Sequence, residues 1–132
     1  MSTTVDELEK AKTSLGISIK LLSESLEQQK SNTELHKALR DACIQRFEFC
    51  VELAWKVSIK LLGLATKAPN PAIREMAQNK LIDDPQVWFN FLIARNKTSH
   101  TYDEDVAKVV YVEVEKILPE LEKLINQLKK LS

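Results

Sequence analysis

The side chains best suited to chemistry lie in one run, Arg95-Asn96-Lys97-Thr98-Ser99-His100-Thr101-Tyr102-Asp103. It places a guanidinium, an imidazole and a phenol close together. An imidazole with a pKa of about 6.5 takes or gives a proton near neutral pH. A guanidinium grips a phosphate through a bidentate fork and stabilises charge developing on its oxygens. Together these groups suit phosphodiester cleavage without a metal. On RNA the 2′-hydroxyl would be the attacking group. The plainer alternative is that Arg95 and His100 only cap and pair at a helix end. Tyr102 has three readings: simple packing, stacking on a base, or a hydroxyl that accepts a modifying group. Asp103, Glu104 and Asp105 follow it and suit the positive start of a helix dipole.

Arg95 shares its helical face with Trp88, Phe91 and Leu92. A charge on such a face is costly unless paired. A carboxylate, a partner subunit or a ligand anion is therefore expected to meet it. In an unbroken helix Arg95 and His100 are about 140° apart and cannot converge on one group. Asn96, Thr98, Ser99, Thr101 and Asp103 favour caps and turns. The spacing thus predicts that the helix ends near Lys97 and the chain turns. His100 would then swing back towards Arg95, or both would face a symmetry mate.

The elements that must position this run are helical. A first helix is expected from about Thr4 to Gln29, with Thr4 and Glu7 spaced as a capping box. Leu8, Ala11, Leu15, Ile19, Leu22 and Leu26 share its apolar arc. After the polar stretch SNTELHK comes a second helix, from about Thr33 to Leu62 and stopped by Gly63. Its apolar residues, from Cys43 and Ile44 through Phe47 and Val51 to Leu62, span an arc of roughly 200°. Either this helix sits centrally among its neighbours or part of the arc meets another chain. Arg46 lies at the edge of the arc. It is either a snorkelling stem with its head at the rim or a cation held at an interface or site.

Asn70 before Pro71 and Asp84 before Pro85 each read as a cap with a first-turn proline, while Pro69 reads as loop. Asp84-Pro85 opens a helix to about Lys97. Val87, Trp88, Phe89, Phe91, Leu92 and Ile93 point all round it, so it should be deeply buried. A last helix runs from about Glu104 to Leu131. Val106, Val110, Val114, Ile117, Leu121, Leu124 and Leu128 keep one phase across Pro119, which predicts one kinked helix rather than two.

Composition agrees with this reading. The 132 residues fit a single domain, 1–132, since domains usually hold about 100–200. Gly and Pro number 2 and 4, far below the roughly 12% of an average protein, and strand-rich folds consume both in turns. The expected fold is all-α: an antiparallel up-and-down four-helix bundle with an extra short helix. Lys plus Arg and Asp plus Glu each total 19, so there is no general basic field to collect phosphates. No apolar run of about 18 residues predicts a membrane span. The charged N-terminal stretch is unlike a signal peptide. A cytoplasmic chain is expected. Cys43 and Cys50 fall two helical turns apart, too far for a disulfide, and read as buried thiols. No Cys/His spacing suits zinc, His36 has no evident partner, and neither metal nor other cofactor is implied.

The segment Arg95-x4-His100-x-Tyr102 resembles the signature of the HepT-like branch of HEPN domains, the helical partners of minimal nucleotidyltransferases. Residues 42–56, ACIQRFEFCVELAWK, resemble that family's second long helix. Asp83 to Asp105 resembles its pattern through the motif. The likeness covers about the last two-thirds of the chain. It implies a dimeric helical bundle that brings two Arg-His motifs into one cleft. It also implies a metal-independent ribonuclease toxin with RNA as substrate. Arg95 would hold the phosphate, His100 would act as acid or base, and Asn96 would order the motif, beside a supporting Lys97. A cognate nucleotidyltransferase antitoxin would transfer AMP to Tyr102 and silence the toxin. The alternative is a non-catalytic nucleotide- or substrate-binding subunit of a nucleotidyltransferase complex.

Overall fold

In the computed structural model the described residues are 3–28, 33–100 and 103–131, with side chains over 5–24, 34–98 and 103–131. They form five helices: α1 (Thr3–Gln28), α2 (Thr33–Leu62), α3 (Pro69–Gln78), α4 (Pro85–His100) and α5 (Glu104–Leu131). Among the described residues there is no strand. The four long helices form the bundle, and α3 is the short extra one.

Cross-helix ion pairs give the directions. Glu9 meets Lys129 and Lys12 meets Glu122, so α1 and α5 are antiparallel. Glu48 meets Thr98 and Glu52 meets Arg95, so α2 and α4 are antiparallel. Arg40 meets Glu104, and Cys43 shares a hydrogen bond with Tyr111, so α2 and α5 run parallel. This is the up-and-down order expected.

Helix α2 packs on all four other helices. That accounts for its wide apolar arc within a single chain: Cys43, Ile44, Phe47, Cys50, Val51, Ala54 and Val57 are all buried. Phe47 and Trp88 each meet Phe91 edge-on, with ring centroids 6.1 and 5.1 Å apart. Such a geometry sets the positive ring edge against the negative face. Cys43 and Cys50 are both buried and free, as expected. Burial pushes the Cys50 thiol up to about 12.

The ends of the helices follow local rules, with three departures from expectation. Gly63, at φ 66°, closes α2, with Leu64 N–H donating to Ile59 and Gly63 N–H to Lys60. The same closure ends α3, but the left-handed position there is Lys80, at φ 61°. Helix α3 begins at Pro69, so Ala68 is its cap residue and Asn70 lies within the first turn; Pro69 is helical, not loop. Two first-turn prolines need no N–H partners, which lets the helix start earlier. Asp84 does cap α4, accepting from Gln86 N–H at 2.9 Å. Asp103 caps α5, accepting from Val106 N–H at 2.9 Å. Helix α5 continues through Pro119. Helix α1 begins at Thr3, and the side chains of Thr4 and Leu26 lie outside the described ones.

The second departure is burial along α4. Trp88, Phe91 and Leu92 are buried, but Ile93 is 53% exposed and Val87 and Phe89 are half-buried, so α4 has an outer face. The third is its length, since α4 continues to His100 rather than ending near Lys97.

A left-handed lysine is strained where glycine is not. Lys80→Gly should therefore raise stability by about 0.5–1 kcal/mol, measured by urea denaturation with the slope unchanged.

Candidate active site

Helix α4 carries Arg95, Asn96, Lys97 and Thr98 along the side of α2. Arg95 and Thr98 are three apart, about 60° round the axis, so both can face α2. They do. Arg95 Nη2 pairs with Glu52 Oε1 at 2.5 Å. Thr98 Oγ1 donates to the Glu48 carboxylate. The carboxylate expected to meet Arg95 is thus Glu52, one turn from Glu48 on α2. Glu52 also lies 3.8 Å from Lys56 Nζ, which in turn sits over the Trp55 ring.

The guanidinium is only partly used. Its Nη1 lies 3.4 Å from Asn96 Oδ1, a long contact, and its Nε is buried without a hydrogen-bond partner. The Arg95 side chain is 31% exposed, so it is held at the wall of the bundle but open to a ligand. Asn96 and Lys97 are exposed. Asn96 Oδ1 thus accepts a long contact from its sequence neighbour Arg95.

His100 is the last residue of α4. Its side chain, and the whole of Tyr102, lie outside the described residues. The continuous helix sets positions 95 and 100 about 140° apart and about 7.5 Å along the axis. The early helix end from which a swing of His100 was expected is absent, since α4 runs on to His100. The turn-forming residues were outweighed by the helix beneath them, where Thr98 bonds back to the Arg95 carbonyl at 2.9 Å.

Two clefts flank this wall. One, of about 520 Å³, is lined by Gln45, Arg46, Glu48, Phe49, Glu52 and Arg95. The other, of about 390 Å³, lies by Asp41, Gln45, Glu48 and Thr98. Arg46 is the rim residue expected: its Nη1 donates to the Ser14 carbonyl of α1 at 2.8 Å. Glu48, Phe49 and Glu52 were missed as site residues. Glu48 and Glu52 lie on the narrow polar side of α2, opposite its apolar arc. The available signal was their i, i+4 spacing opposite an arginine that needed a counter-charge.

The far end of the motif is fixed by Arg40. Its Nη1 meets Glu104 Oε2 at 2.6 Å, two residues beyond Tyr102. The hydrogen bond from Arg40 holds the Glu104 carboxyl below the usual 4.5. A depressed carboxylate stabilises the fold above its ordinary pKa, and that contribution fades as pH falls through the folded value. Among the described residues no group of three or more His, Cys, Asp or Glu could hold a metal ion. No described helix is long and apolar enough to cross a membrane.

Two outcomes are expected. Glu104→Gln should flatten the loss of stability below about pH 4.5, read from denaturation midpoints at stepped pH. Glu52→Ala and Arg95→Ala should each lower stability, by about 1–2 kcal/mol, and the double variant by less than their sum. Additive losses would mean that the two side chains do not act as a pair.

Comparison with known proteins agrees with this architecture. Residues 9–130 match the family described as nucleotidyltransferase substrate binding protein like. The chain is 33% identical over 94 residues to the probable ribonuclease HepT of Haemophilus influenzae; the match spans 65% of this chain and 64% of that protein. A solved structure, HI0074 from Haemophilus influenzae, superposes with a TM-score of 0.83 at 28% identity, over 95% of this chain and 98% of that one. It is described as revealing the fold of a substrate binding domain of a nucleotidyltransferase. Five helices in this order, with the Arg95 motif on α4 facing α2, thus belong to a chain of the nucleotidyltransferase substrate binding protein like family.

Proposed function

We propose that this chain is the ribonuclease toxin of a two-gene pair, acting without a metal and silenced by AMP transfer to Tyr102. The observation that carries the reading is the partly open guanidinium of Arg95, set in a cleft wall and oriented by Glu52. Its exposed edge can take a phosphate. The likeness to a probable ribonuclease supports the same chemistry. Arg95 holds the scissile phosphate and stabilises its developing charge. His100 takes the proton from the 2′-hydroxyl or returns one to the leaving 5′-oxygen. Asn96 and Lys97 support the grip.

The separation of positions 95 and 100 favours a homodimer. Two copies facing each other across an axis would pair the arginine of one with the histidine of the other. The partner implied by the family is a nucleotidyltransferase. As a minimal antitoxin it would move AMP from ATP to the Tyr102 oxygen and release pyrophosphate. A bulky anion two residues from His100 would then block the cleft.

A second reading is a non-catalytic subunit that binds nucleotide or presents substrate. The description of HI0074 as a substrate binding domain favours it, as does the pairing of Arg95 with Glu52.

The two readings part in one experiment. Purified chain is incubated with cellular RNA and tRNA, with EDTA present, beside His100→Ala and Arg95→Ala. Cleavage by the wild type alone, with both variants down by at least about a hundredfold, is expected. Incubation with the cognate nucleotidyltransferase and ATP should add the mass of AMP at Tyr102 and end cleavage. No cleavage by any form, and no added mass, would leave the binding subunit as the reading.

A further inference from the structure

We propose that the cleft between Arg46 and Arg95 is a nucleotide subsite, in which a base of single-stranded RNA stacks on Phe49. This rests on the reading of RNA as the substrate and adds where a nucleotide beside the reacting phosphate is held. Phe49 is 57% exposed although it stands on the helix that packs on all the others. It lies in the same cleft as both arginines, and it lines the adjoining cleft towards Ser14 and Lys10 of α1. An aromatic ring open to solvent in a cleft that two arginines also line is a surface on which any base can stack.

The charges of the cleft select for this occupant. Arg46 and Arg95 are opposed by Glu48 and Glu52 in the same lining. Two carboxylates make the cleft a poor trap for a bare polyanion. They leave it suited to a neutral ring with one phosphate at its rim. Arg46 is fixed there by its bond to the Ser14 carbonyl, which uses one of the five N–H donors of its guanidinium. The remaining donors can meet that phosphate. Arg95 then serves the scissile phosphate, and Arg46 its neighbour along the strand. The cleft's volume, about 520 Å³, accommodates a single nucleotide.

The test uses a probe that the chain cannot cut. A fluorescein-labelled 2′-O-methyl oligoadenylate lacks the attacking hydroxyl, so binding is read apart from cleavage. By anisotropy, Phe49→Ala should bind about tenfold more weakly, while Phe49→Tyr stays close to wild type. An abasic oligonucleotide of the same length should bind both forms equally. Arg46→Gln should reduce the slope of log affinity against log salt by about 0.7, the share of one single-strand phosphate. Equal binding of the oligoadenylate by wild type and Phe49→Ala overturns the proposal. So does a fall in mass of Phe49→Ala by light scattering, which would assign Phe49 to a contact between two copies. Failure of the nuclease reading looks different: probe binding that depends on Phe49, with no cleavage of natural RNA, leaves the subsite standing. RNA cleavage with probe binding indifferent to Phe49 does the reverse.

Discussion

A guanidinium set against the wall of a helical bundle needs a fixed counter-charge, and the arrangement of α2 and α4 provides one. Arg95 projects from the same side of α4 as residues that belong to the core, so it cannot retreat fully into water. Glu52 meets it at 2.5 Å, while Glu48 takes the Thr98 hydroxyl one turn away. These contacts set the register of α4 on α2. They also hold the end of α4 against the helix that packs on all the others. The pair is therefore a packing element that also fixes how the arginine stands at the surface. Lys56, near Glu52 and stacked over Trp55, adds a second positive group behind the first.

The overall balance of charge is zero, yet the surface is locally ordered. Ion pairs link α1 to α5 at two levels, α2 to α5 at one and α2 to α4 at another. The more exposed of these, linking α1 to α5, contribute little energy each. Their greater effect is to fix direction and register between helices that share a non-directional apolar core. A neutral chain can still hold phosphate, because the field that matters is the one within a few ångströms of the fork.

The bundle was legible in the sequence because long helices with one apolar arc and few glycines leave little other choice. Even the odd breadth of the α2 arc was informative: it meant central packing, here against four neighbours. Prolines were harder to read. Pro85 and Pro119 fell where expected, whereas Pro69 and Pro71 share one helical turn, so the cap moved back to Ala68. The motif segment misled for a different reason. Its turn-forming residues sit on a helix already nucleated by Trp88, Phe91 and Leu92, and cooperative extension carried α4 on to His100. Arg95 could be recognised as needing a carboxylate. Which carboxylate could not, because Glu52 lies 43 residues away and pairing across helices leaves no mark on local periodicity.

The parallel course of α2 and α5 has a consequence for how the chain is made. Arg40 and Cys43, near the start of α2, are tied to Glu104 and Tyr111, near the start of α5. The motif thus lies between one helix made before it and another made after it. While the chain is still emerging from the ribosome, α2 and α4 can meet, but the clamp beyond Tyr102 has no counterpart until α5 has docked. A growing chain would carry the arginine cleft before its far end is anchored. Completion of the motif's surroundings is in this sense coupled to closure of the bundle rather than to folding of the segment itself.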